Sequence, residues 1–306
     1  MNIAVTGASG FLGRYLVHAL LERGHEVTCF SRSKSKLTEI FSAASPVRFA
    51  ATDYSIASLE ARFQSFDACI HLAAKRYARD STRLTDYLDN VLHTDNLLGV
   101  CQSRGVKQVI VASTISVYSP GHNVAPFSEK KFPFPKNPYG LSKLISEKTA
   151  CFYQDLRVTS LRFAQLVGWG ERTGFMLAAF LQNALQGSPL AVYGAGAGKR
   201  DYLYAKDAVA AILKALACAE VTGTFNIGSG RAVSHRDLAY AIVTAFHEKG
   251  STIVLDPSRQ EDTSVVCMDI SAAEQVLKWS PRYDLVRMLS DMKEDTCAFE
   301  QWGKIR

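Results

Sequence analysis

The sequence predicts an α/β fold: a doubly wound parallel sheet covered by helices on both faces, with a smaller C-terminal lobe. Three observations predict it. Short apolar runs alternate with amphipathic stretches through the first half of the chain. A glycine-rich turn at residues 7–13 joins the first apolar run to the first amphipathic one. After Gly168 the alternation loosens, as expected where a lobe grows from strand ends. Parallel strands need crossover connections, so repeated β-α-β order selects a parallel sheet with helices packed on it.

Each element follows from its pattern. Residues 3–5, 26–30, 47–49, 68–71, 108–111 and 158–161 are short and apolar and read as buried strands. Residues 11–22, 56–63, 83–104 and 139–153 carry helical spacing. Leu12, Leu16, Ala19 and Leu20 form one apolar stripe, and Gly24 is placed to stop that helix. Beyond Gly168 come a helix at 175–186, a glycine-rich stretch (Gly194, Gly196, Gly198) and a helix at 207–219. Strands at 224–227 and 253–255 follow, and the chain turns helical again from Ser271. There is no Pro/Ser-rich linker and no internal repeat.

Composition narrows the class of function. The 306 residues suit one large α/β unit with an appended lobe, and 47% hydrophobic content suffices for a buried core. The net charge of +6 is spread out; residues 32–36 and Lys130-Lys131 are too short to serve as a nucleic-acid arm. No nucleic-acid partner is expected, whereas phosphate-bearing small molecules suit the positive balance. Seven scattered cysteines, odd in number and without a CxxC pair, predict reduced thiols with neither disulfides nor a metal site. No apolar run has bilayer length, so no membrane partner is expected. Residues 1–5 lead straight into a strand without a signal-peptide layout, and a cytoplasmic location is the expectation.

The turn Thr6-Gly7-Ala8-Ser9-Gly10-Phe11-Leu12-Gly13 stands where a dinucleotide is bound in such sheets. Gly7 permits the tight turn, Gly10 admits a pyrophosphate to the backbone, and Gly13 allows close helix packing. Phe11 and Leu12 open the helix whose free N–H groups favour an anion. The second strand ends Phe30-Ser31-Arg32-Ser33-Lys34, without the Asp or Glu that usually takes the ribose hydroxyls of NAD. Arg32 suits a 2′-phosphate, so NADP(H) is favoured within NAD(P), with NAD left open. Arg32 and Lys34 read equally well as solvated surface charges.

Tyr139 and Lys143 lie at i, i+4 on one helix face. A free phenol loses its proton near pH 10, and a neighbouring ammonium favours the phenolate. That pairing makes Tyr139 a candidate proton-transfer group and leaves Lys143 to hold a nicotinamide ribose. Ser113-Thr114, at the end of an apolar strand, supplies a hydroxyl for the oxygen that Tyr139 protonates or deprotonates.

With these residues in view, the chain resembles an extended short-chain dehydrogenase/reductase, specifically the nucleotide-sugar epimerase and dehydratase group with UDP-hexose 4-epimerases among its members. The resemblance covers nearly the whole length. TGxxGxxG ends at Gly13, His71-Leu72-Ala73-Ala74 matches the fourth-strand signature, and Tyr139–Lys143 is the YxxxK pair. Arg200-Asp201-Tyr202-Leu203-Tyr204 with Asp207, Asn226-Ile227-Gly228-Ser229-Gly230, and Trp279-Ser280-Pro281 match later motifs.

The resemblance implies a Rossmann-like NAD(P)-binding domain mainly over 1–166 and a substrate-binding lobe mainly over 167–306, with segments returning to the first. It places Asp53 and Tyr54 at the adenine, Leu72, Ala73 and Ala74 along the dinucleotide, and Asn90 as the structural asparagine. It places Arg200 and Arg259 on the substrate diphosphate, where a guanidinium fork suits phosphate oxygens. Tyr193 borders the base or belongs to the core. Gln165 replaces the usual Asn, and Ser119 the usual Gly. Lys75 and Arg76 either touch sugar or phosphate or are solvated. His71 reads as a buried strand end, Cys101 and Cys151 as packing residues. A homodimer through helices 83–104 and 139–153 is expected from the resemblance alone.

Within the group, 4,6-dehydratases carry Asp-Glu after the hydroxyl residue, decarboxylases a Glu at the position of Ser116, and 3,5-epimerases a Cys. Here Ile115 and Ser116 follow Thr114. The minimal set of Thr114, Tyr139, Lys143 and nicotinamide remains. It suffices for 4-epimerisation of a UDP-hexose or UDP-N-acetylhexosamine, the first reading, or for NADPH-dependent reduction of a nucleotide-4-keto-sugar, the alternative. A non-catalytic dinucleotide-binding regulator is the distant alternative, since such proteins typically lose the Tyr or the Lys.

Overall fold

The computed structural model describes residues 1–33, 37, 40–41, 46–171 and 175–295. Its strands are β1 (Asn2–Thr6), β2 (Glu26–Ser31), β3 (Val47–Ala51), β4 (Ala68–His71), β5 (Gln108–Thr114), β6 (Arg157–Phe163), β7 (Gln165–Val167), β8 (Leu190–Tyr193), β9 (Lys199–Tyr204), β10 (Gly223–Ile227), β11 (Ala232–Ser234), β12 (Ile253–Asp256) and β13 (Val265–Val266). The α-helices are α1 (Phe11–Glu22), α2 (Ile56–Glu60), α3 (Leu88–Ser103), α4 (Pro138–Thr149), α5 (Met176–Gln186), α6 (Ala205–Ala217), α7 (His235–Ala245), α8 (Ser271–Val276) and α9 (Leu285–Glu294).

Seven strands form the central sheet in the order β10-β6-β5-β4-β1-β2-β3, and every pairing in it is parallel. Period-two alternation divides their side chains between two cores. Ile3, Val5, Ile70, Ile110 and Leu161 pack on one side with Leu12, Leu16 and Leu20 of α1. Ala4, Cys69, Val109 and Val111 face the other way, against Leu97, Leu98 and Cys101 of α3. The chain leaves β1 toward β2 and β3, then returns across β1 to β4. At such a reversal the connections above the carboxyl ends of the strands diverge and open a crevice.

The strands expected in the first half are all present, most of them extended by one or more residues. The helix read over 83–104 begins instead with a 3-10 turn at Leu84–Tyr87, and that over 139–153 ends in another at Ala150–Phe152. The glycine-rich stretch after α5 is ordered: β8 and β9 flank it, and Gly194 and Gly196 take φ of +61° and +70°. β9 pairs with β7, β11 and β13, while β8 pairs with β12. Helix α7 lay outside the sequence reading, although its start is signalled: Ser234 caps it by accepting from Asp237 N.

β10, from the second half of the chain, is the edge strand of the central sheet beside β6. Two buried carboxylates fasten the surrounding segments. Asp201 accepts from the backbone N–H groups of Ser229, Gly230 and Met268, and Asp207 from those of Arg282 and Tyr283. The acidic members of the Arg200–Asp207 motif are therefore structural anchors. Among the described residues no helix is long and apolar enough to cross a membrane, and no cluster of His, Cys, Asp and Glu is arranged to hold a metal.

Candidate active site

A cleft of about 910 Å³ opens at the carboxyl ends of the strands, over the reversal between β1 and β4. Gly7, Gly10, Phe11, Leu12 and Gly13 line one part of it. Gly7 has φ +71°, which an L side chain rarely adopts. A Cβ on Gly13 would lie 2.2 Å from Gly7 O and 2.7 Å from Ala8 Cα, so this glycine lets α1 pack against its own preceding turn. Gly10 is the N-cap of α1, with no side-chain cap and no acidic residue in the first turn. The unsatisfied N–H groups at that end thus meet the cleft without a competing anion, which fits a dinucleotide pyrophosphate.

The proton-transfer candidates converge on the same cleft. Asn137 caps α4 by accepting from Gly140 N at 2.7 Å, and Pro138 starts the helix, so Tyr139 emerges in its first turn. Gly140 permits close contact with the turn after β5, since a Cβ there would sit 2.2 Å from Ser116 O. Thr114, the last residue of β5, accepts from Ser116 N at 3.2 Å, and its side chain draws the Tyr139 phenol down, against the effect of burial. Tyr139, Lys143 and Thr114 all line the cleft.

The electrostatics differ from the simple expectation in one respect. Burial raises the Tyr139 phenol above its ordinary value, and the cation opposing that rise is the Arg76 guanidinium rather than the Lys143 ammonium. Lys143 is itself buried, which pushes it down to about 8 against the pull of Glu147. Both groups therefore hold their protons at neutral pH. His71 is pushed down to about 3, chiefly by burial, and bonds the Thr6 and Thr94 hydroxyls at 2.7 and 3.1 Å. As a neutral, fully engaged ring it is structural.

The remaining sequence candidates divide. Arg32, flanked by Ser31 and Ser33, lines the cleft, as do Tyr54, Leu72, Ala73, Ala74, Asn90, Gln165 and Arg200. Tyr54 is buried, takes φ +66° and stacks on His93 at 4.8 Å. The Asn90 amide pegs the loop after β4, bonding both Lys75 N (2.7 Å) and Lys75 O (3.0 Å), in keeping with a structural role. Arg200 is pinned by Asp262 at 2.6 Å and Ser264 O at 2.7 Å while still bordering the cleft.

Three candidates lie away from the cleft lining, and one expectation is corrected. Asp53 is exposed and lies outside the lining; its carboxylate accepts from Ser55 N and Oγ at the start of α2 instead. Tyr193 and Arg259 also lie outside it and are spent on each other, guanidinium over ring at 4.9 Å with a 2.9 Å hydrogen bond. Cys151, expected to pack, is exposed in the 3-10 turn that follows α4. Lys34 lies outside the described residues.

The sequence reading missed other wall residues. Glu171, whose side chain is 7% exposed, pairs with Arg76 at 2.7 Å, and that guanidinium lies 5.7 Å from the Phe175 ring. His93, Asp89 and Asp262 also line the cleft. Arg76 had been read from its place after β4, as a sugar or phosphate contact or a solvated charge; Glu171, His93 and Asp262 carry no motif, and Asp89 only adjoins Asn90.

Known proteins share this architecture. The profile described as the NAD dependent epimerase/dehydratase family matches residues 3–228. An uncharacterized UDP-glucose epimerase of Bacillus subtilis (strain 168) is 28% identical, covering 93% of this chain and 94% of its own. A dTDP-4-dehydro-6-deoxyglucose reductase of Escherichia coli is 27% identical, covering 92% of each. The crystal structure of a UDP-N-acetylglucosamine 4-epimerase from Bacillus cereus superposes with a TM-score of 0.84 at 32% identity, covering 97% of this chain and 96% of that one. Fold, cleft and sequence together make this chain a member of the NAD dependent epimerase/dehydratase family.

Proposed function

We propose that this chain is a nucleotide-sugar 4-epimerase acting on UDP-hexoses or UDP-N-acetylhexosamines. One observation carries the reading. Thr114, Tyr139 and Lys143 share a cleft whose wall just after Thr114 is Ile115 and Ser116, which offer no acid or base for dehydration or decarboxylation. Tyr139 Oη accepts the proton of the C4 hydroxyl and later returns it, while the Thr114 hydroxyl steadies the same oxygen. Lys143 holds the nicotinamide ribose, and residues 10–13 hold the pyrophosphate. The bound nicotinamide supplies the hydride acceptor and donor and, when oxidised, a positive charge that favours the phenolate. Gln165 and Arg200 serve the substrate phosphates. The test is incubation with UDP-glucose, UDP-galactose and their N-acetyl forms without added cofactor. Interconversion of at least one pair is expected, and none with any pair sinks the proposal.

A second reading, reduction of a nucleotide-4-keto-sugar by NADPH, draws on Arg32 and on the similarity to the E. coli reductase. Ser31, Arg32 and Ser33 present two hydroxyls and a guanidinium, a set matched to a 2′-phosphate. NADP+ is therefore expected to bind about tenfold tighter than NAD+, the value of one charge-assisted hydrogen bond. Arg32→Ala should bring the two affinities together. Calorimetric titration decides, and equal affinities for the unaltered protein remove Arg32 from this role.

A further inference from the structure

Behind the wall of the cleft lies a buried polar network that the reaction drawn above does not use. Glu147 stands one turn beyond Lys143 and two beyond Tyr139 on α4, so the three fall near one helix face. Its side chain is 3% exposed and that of Arg162, on β6, is 4% exposed. The two meet as a fork, Nε to Oε1 at 2.9 Å and Nη2 to Oε2 at 2.7 Å. Arg162 Nη1 donates to Tyr118 Oη at 2.6 Å, and Tyr118 Oη bonds Asn226 Oδ1 at 3.0 Å. The Ser113 hydroxyl donates to Glu147 Oε1, and Ser113 immediately precedes Thr114.

A buried ion pair contributes little net stability, because desolvation offsets much of its attraction; what it does provide is a fixed charge in a fixed place. That charge lies beside a buried ammonium, and Glu147 is the group opposing the effect of burial on Lys143. The hydrogen bond from Ser113 joins the end of β5 to α4 at the level of the reacting groups.

We propose that Glu147, held by Arg162, is a positioning residue: it keeps Lys143 in its ammonium form and ties the strand end bearing Thr114 to the helix bearing Tyr139. This rests on the reading of Tyr139 and Lys143 as the reacting pair. Glu147 on its own helix and His71 on β4 act electrostatically on Lys143, Arg162 lies behind Glu147, and Tyr139, Arg76, Asp89, His93, Glu171, Arg200 and Asp262 are among the ionisable groups that share its cleft. His71 is neutral throughout the working range, which leaves Glu147 as the group that opposes burial.

The Lys143 titration is read from its side-chain ¹³C resonance in lysine-labelled protein, with and without NAD(P), the signal being assigned by its loss in Lys143→Met. Glu147→Gln is expected to lower the midpoint by about one pH unit or more, as loss of a close opposite charge does. In turnover assays the alkaline limb of kcat should move down by the same amount while KM for the nucleotide-sugar holds. If Glu147→Gln alone does not fold, Glu147→Gln with Arg162→Gln removes both buried charges, and a smaller lowering of the same sign is expected, because the lost cation offsets part of the effect and Glu147 is the nearer. A folded variant with an unmoved midpoint overturns the proposal. Because the midpoint is read without turnover, failure of the 4-epimerase assignment leaves this test intact.

Discussion

Tyr139→Phe is expected to lower kcat by about 10³-fold, within the usual contribution of a positioned proton-transfer group. The ring contact with Tyr87, 5.9 Å between centroids, survives in phenylalanine, so the fold and the substrate KM should change little. What is lost is the phenol oxygen that takes and returns the proton. Stopped-flow or coupled assays on the purified variant, with circular dichroism as a folding control, measure the effect. Retention of more than about a tenth of the turnover would contradict the role given to this phenol, because so small a loss lies below the range for general acid–base catalysis.

Gly13→Ala is expected to have the second largest effect, acting on the turn rather than on the chemistry. The new methyl group would stand 2.2 Å from Gly7 O and 2.7 Å from Ala8 Cα. Both neighbours are backbone and cannot rotate away, so the turn or the helix must move. We expect about 3 kcal/mol of destabilisation, the upper end for overpacking, together with loss of dinucleotide binding. Urea unfolding and calorimetric titration measure the two. Gly99→Ala is the control: on α3 its nearest neighbour would be 3.7 Å away, so the change should be neutral or stabilising. Equal behaviour of the two variants would show that crowding at Gly13 is unimportant.

The strands β1, β2, β4, β5 and β6 were legible in the sequence because each is a short apolar run buried on both faces, and the edge strand β3 because Val47 and Phe49 alternate with the exposed Arg48. The residues at their carboxyl ends were legible because dinucleotide chemistry demands glycine, hydroxyl, phenol and ammonium at fixed offsets. Gly7, Thr114, Tyr139 and Lys143 all reach the cleft for that reason. Arg259 and Tyr193 did not, because spacing alone cannot reveal that two exposed side chains satisfy each other. Glu147 and Arg162 went unread for the opposite reason. A charged residue buried by a partner fifteen positions away looks, in sequence, like an ordinary solvated charge. Among the residues of the lobe, β8 and β9 were hidden by the glycines between them, where positive φ reverses the chain within a few residues.

The path of β10 has a consequence for anyone wishing to dissect the molecule. This strand, supplied by residues far along the chain, closes the ladder of β6. A piece cut after residue 166 would leave β6 with a bare row of peptide donors and acceptors, ready to recruit a like strand from another copy. Such a piece should clump rather than stay monodisperse, and a ribosome must deliver residue 227 before the sheet is sealed.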